Sequence, residues 1–75
     1  MSASAQVRVK RGDVTPRLVR LKGGAVYLGM SPWQLRRLVQ NGDLPVVKLG
    51  DGAPWLLDLK DLDLWIERSK TVVTD

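Results

Sequence analysis

Leu28-Gly29-Met30-Ser31 is the stretch that most restricts how this chain can fold. Gly29 reads as a helix stop, because a residue without Cβ enters the left-handed C-terminal conformation at little cost. Ser31 reads as the N-cap of another helix, and Pro32 suits the first helical position, where its missing N–H is not needed. A helix end and a helix start this close leave room only for a tight turn. The first helix is expected over Lys22 to Gly29, with Ala25 and Leu28 on one side. Gly23 and Gly24 each cost about 1 kcal/mol relative to Ala, which predicts a short or loose helix. The second runs from Trp33 to Gln40 and ends at Asn41-Gly42. At about 100° per residue, Leu35, Leu38 and Val39 form one narrow apolar face, with Trp33, Arg36, Arg37 and Gln40 pointing the other way.

Beyond Asp43-Leu44-Pro45 the periodicity changes. Val46 to Leu49 and Ala53 to Leu57 read as two short strands around Gly50-Asp51-Gly52, a β-hairpin in which Pro54 must sit at an edge or a strand start. Asp58 can cap a last helix with Asp61 at its third position, and Leu59, Leu62, Trp65 and Ile66 form its buried stripe. Trp55 and Trp65 fit core positions. Two short helices and a tight Gly-containing turn outline a helix-turn-helix. Residues 1–17 read as a basic arm, disordered or adding one edge strand, residues 18–69 as the domain, and 70–75 as a frayed tail.

At 75 residues there is room for one domain, and folding one this small buries only about 60% of the unfolded surface. With no Cys and no His, neither disulfides nor zinc can help, so the core must be apolar. The same absence removes imidazole bases and thiolate nucleophiles, and the chain is expected not to be an enzyme. Asp58, Asp61 and Asp63 are explained by a helix N-terminus and its neighbour, and Gly50-Asp51-Gly52 lacks P-loop spacing, so neither metal nor cofactor is expected. No apolar run is long enough for a signal peptide or a membrane span, and a cytoplasmic location is expected. The net charge of +4 is uneven: residues 1–48 hold nine basic and two acidic side chains, the rest three and six. That asymmetry points one surface toward a polyanion.

Five pieces occur in order: Ala25-Val26-Tyr27-Leu28-Gly29-Met30-Ser31, Arg37-Leu38, Asn41-Gly42-Asp43-Leu44-Pro45, Val46-Val47-Lys48-Leu49-Gly50, and Asp61-Leu62 with Trp65-Ile66. In these, residues 18–69 resemble the small winged helix-turn-helix domains of the excisionase and MerR-like group. The resemblance implies a mainly helical α+β fold with two short helices, a two-stranded β-wing and a C-terminal helix. It also implies sequence-specific binding of double-stranded DNA, with the second helix in the major groove. Arg36 and Arg37 have the donors that pair with guanine and Gln40 those for adenine, with Gln34 and Trp33 beside them. Arg8, Lys10, Arg11, Arg17, Arg20, Lys22 and Lys48, from arm and wing, are the expected phosphate contacts.

Two departures stand out. Family members open the first helix with a Thr-type cap and Glu-Ala, where this chain has Arg20 and Gly23-Gly24, and they carry Arg in the wing turn, where it has Asp51 and Gly52. The implied role is an excisionase-like accessory factor in recombination of a mobile element, or else a small transcriptional regulator. MerR-type regulators dimerise through a long following helix, and a chain without heptads that stops at Asp75 is expected to be a monomer in solution. A recombinase or integrase, or a second copy on DNA, are the further expected partners, with no membrane. Trp33 stays open between a DNA contact, a protein anchor and a stacking partner for Arg37 one turn on. A protein-interaction module using the Trp33 face is the rival of another class.

Overall fold

The computed structural model describes residues 16–74. In order these form β1 (Leu18–Arg20), α1 (Leu21–Leu28), α2 (Pro32–Gln40), β2 (Leu56–Asp58) and α3 (Leu59–Ser69). The fold is the mainly helical α+β class expected, three helices with a small antiparallel sheet. No helix among the described residues is long and apolar enough to cross a membrane.

The turn between α1 and α2 forms as its residues dictate. Gly29 has φ +72°, and a Cβ there would meet nothing within 4 Å, so glycine is needed for its backbone alone. This lets the Gly29 N–H donate to the Val26 carbonyl at 3.1 Å and the Met30 N–H to that of Ala25 at 3.0 Å, closing the helix. The same closure ends α2, where the Asp43 N–H donates to the Leu38 carbonyl at 2.9 Å.

The three helices, β2 and the loop after α2 each contribute one aliphatic side chain to the core. Ala25 from α1, Leu35 from α2, Leu44 from the loop, Leu57 from β2 and Leu62 from α3 are all buried, with Leu28, Leu38, Val39, Leu59 and Trp65 packed against them. Burying one Leu is worth about 1.5–3 kcal/mol, so most of the stability sits in these few contacts. Gly24 explains the glycines that looked unfavourable. A Cβ there would lie 3.0 Å from Leu35 Cδ2 and 3.5 Å from Leu57 Cδ1, so α1 runs its eight residues because glycine lets it approach α2.

The strand pairing is distributed differently from the local hairpin expected. β2 pairs antiparallel with β1, Val19 opposite Leu57, and the Leu59 N–H donates to the Arg17 carbonyl at 2.9 Å. Val46 to Leu49 contributes a single bridge, in which Val47 and Leu56 exchange N–H···O bonds of 2.7 and 3.0 Å. Proline is the reason. In this register the next hydrogen-bonded rungs would fall at residue 54 on one side and residue 45 on the other, and Pro54 and Pro45 have no N–H to donate.

Candidate nucleic-acid interface

α2 is the most self-sufficient element of the molecule. Ser31 and Gln34 form a reciprocal capping box: the Ser31 hydroxyl accepts from the Gln34 N–H at 3.1 Å, and Gln34 Oε1 accepts from the Ser31 N–H at 3.0 Å. Gln34, read as a minor contact residue, therefore spends its carbonyl oxygen on the helix start. With Leu35 buried and Leu38 and Val39 packed on the core, Trp33, Arg36, Arg37 and Gln40 are left exposed.

Two of these side chains are held in place by indole rings. The Arg37 guanidinium lies 4.9 Å from the centroid of Trp33, itself 63% exposed, which is the stacking partnership anticipated one turn apart. The Arg36 guanidinium lies 5.0 Å from the centroid of Trp55. Such pairs are worth about 0.5–1 kcal/mol at exposed sites and, more usefully, fix the direction of a flexible side chain. Trp55 departs from its expected core role: it is only half-buried and lies outside the apolar cluster, because Pro54 stops the strand that would have carried it inward.

An open depression flanks each pair. On one side a cleft of about 550 Å³ brings Arg20 and Lys22, from the start of α1, to Arg36 and Trp55. On the other a groove of about 320 Å³ holds Met30, Trp33, Arg37, Leu38 and Trp65. Lys48 is exposed in the wing loop and lines neither, and Arg8, Lys10 and Arg11 lie outside the described residues.

Arg17, an expected phosphate contact, has a partner within the chain. Its Nε and Nη2 donate to both carboxylate oxygens of Asp58 at 2.9–3.2 Å, while Asp58 also caps α3 by accepting from the Lys60 N–H at 2.9 Å. The guanidinium, and after it the Lys60 amide, hold the Asp58 carboxyl below the ordinary carboxylate range. Tyr27 donates its hydroxyl to Asp63 Oδ1 at 2.6 Å, and that bond raises the phenol above its ordinary value. Asp58 and Asp63 thus each have a partner, Asp61 lies in the first turn of α3, and the described residues hold no group of three or more acidic side chains placed to bind a metal ion.

Sequence reading missed Trp55, Pro32 and Pro54 as walls of a basic cleft. The available signal was Pro54, which cannot donate to a strand ladder, and β2 begins only after Trp55. No curated protein and no solved structure matches the chain. A family model for a helix-turn-helix domain matches residues 18–70, more than two thirds of the chain. That span runs from the first residue of β1 to the residue that follows α3, so the match takes in every element described. The chain belongs to this helix-turn-helix family, which includes excisionase-like small domains, and is a sequence-specific DNA-binding domain.

Proposed function

We propose that α2 enters the major groove of double-stranded DNA, with Arg36, Arg37 and Gln40 as its leading contacts and Trp33 and Gln34 at their edge. Arg8, Lys10, Arg11, Arg20, Lys22 and Lys48 supply phosphate contacts, while Arg17 shares its charge with Asp58. The biological role is that of an excisionase-like accessory factor, a monomer in solution that assembles on DNA beside a second copy or a recombinase. The observation that carries this reading is α2 itself, a capped helix with its apolar face on the core and two indole-braced guanidinium groups outside. A guanidinium of this kind matches either the paired acceptors of guanine, a good pair being worth about 1–3 kcal/mol of discrimination, or two oxygens of a phosphate.

Selection of bound sites from random duplexes, followed by titration onto the selected site in single and tandem copies, tests it. A preferred sequence, a bent complex and cooperative filling of tandem copies are expected. A single non-cooperative complex on unbent DNA favours the transcriptional role, and no sequence preference removes α2 as the reading element. The exposure of Trp33 beside Met30 and Trp65 supports a partner contact as a second use of the same face. If DNA binding survives Trp33→Ala while cooperativity is lost, Trp33 belongs to the partner.

A further inference from the structure

We propose that the cleft between Arg20, Lys22, Arg36 and Trp55 is a backbone subsite that grips one phosphodiester of the bound duplex, and that Arg36 acts there and not on a base edge. This rests on the DNA-binding reading above and divides the labour within it. Arg20 and Lys22 are far from Arg36 in sequence, and the packing of α1 on α2 brings them to one cleft with no acidic side chain in its walls. None of the three is ion-paired among the described residues. Like charges gathered this way repel unless an anion is taken up, and a phosphate is the anion a duplex offers.

The Trp55 ring decides what Arg36 can reach. The guanidinium carbon lies over the indole at 5.0 Å from its centroid, and a guanidinium braced there presents a fork of donors that fits two phosphate oxygens. Pro32 and Pro54 add apolar walls beside it, suited to a deoxyribose. Arg37 is about 100° further round the helix, braced by Trp33 in a groove where it is the only charged side chain. The phosphate goes where three cations meet, and the side with one guanidinium and neighbouring amide side chains is left for bases.

Binding curves over a salt series, on random duplexes and on the selected site, test the division. R36Q, and R20Q with K22Q together, should each lower the log–log salt slope by at most about 0.9, the single phosphate contact at stake. They should weaken both duplexes by the same factor, up to roughly tenfold at 0.1 M salt, and leave the selected sequence unchanged. R37Q should change the selected sequence. Replacing single phosphates by methylphosphonate should reveal one position that weakens wild-type binding and costs R36Q nothing further. A selected sequence altered by R36Q at an unchanged slope would put Arg36 on a base and overturn the subsite. Slopes unaffected by all these variants would remove the subsite alone. Wild-type protein that bound no duplex would remove the DNA-binding reading beneath it.

Discussion

α1 and α2 are neighbours of nearly equal length, closed by the same pair of C-terminal hydrogen bonds, yet they are stabilised in opposite ways. α1 starts at Arg20 with no side-chain cap, contains two glycines and has Gly24 and Ala25 buried, so the packing around it holds it in shape. α2 carries its own supports, a proline at its first position and a reciprocal cap, and buries one residue fully, Leu35. An element fixed by local bonds can leave the rest of its surface free. The side chains proposed to read DNA therefore gather on α2, while α1 yields its side-chain volume to bring the two helices together.

Leu35 joins the two helices, and its loss should have the largest effect. Leu35→Ala creates a cavity against Gly24, Leu57 and Leu62, and such truncations cost about 2–5 kcal/mol, much of the stability of so small a domain. Thermal melts should show cooperative folding lost or its midpoint lowered by well over 10 °C, since about 1 kcal/mol is worth 4–8 °C in a domain this size. Retention of the wild-type midpoint would mean that the helices are not joined through this side chain.

Gly24→Ala sharpens the contrast. In a self-supporting helix the change gains about 1 kcal/mol. Here the new methyl meets Leu35 Cδ2 at 3.0 Å inside a packed core, and overpacking costs about 1–3 kcal/mol, so the midpoint should fall. A rise would show that propensity limits α1 after all. Ser31→Ala is the complementary test on α2: it removes one half of the cap and should cost about 1 kcal/mol, with helical circular dichroism reduced at temperatures below the melt.

The smallest effect expected is in acid. Asp58 is held below its ordinary value by Arg17 and the Lys60 amide, so its contribution is complete above the unfolded value near 3.8 and is lost as pH falls through the lower folded one. Melts between pH 2 and pH 5 should show this acid limb in the wild type and a flatter one in Asp58→Asn. Identical limbs would mean that the pairing at the root of β1 adds nothing to stability.

Much of this was legible in the sequence, and the failures share a cause. Ser31-Pro32, Gly29 and Gly42 are local signals read by bonds within a few residues, and the helix ends fell where they pointed. Leu35 and Leu62 were readable from periodicity for the same reason. The partner of β2 was not, because β1 lies nearly forty residues away and nothing in Leu18-Val19-Arg20 announces the pairing. The Arg17–Asp58 pair is hidden in the sequence because its partners are equally distant, and the use of Gly24 depends on where Leu35 arrives. Trp55 lies between these cases: Pro54 was visible, while its effect on the register appeared only with Val47 opposite Leu56.

Amide chemical shifts followed during titration with a selected duplex test most directly the claim that α2 and the basic cleft beside it face DNA. Perturbations should concentrate on Trp33 to Gln40 and on Arg20, Leu21 and Lys22, grow at low salt, and leave Asp63 to Glu67 on α3 unmoved. Perturbations centred on α3, with α2 silent, would contradict the assignment.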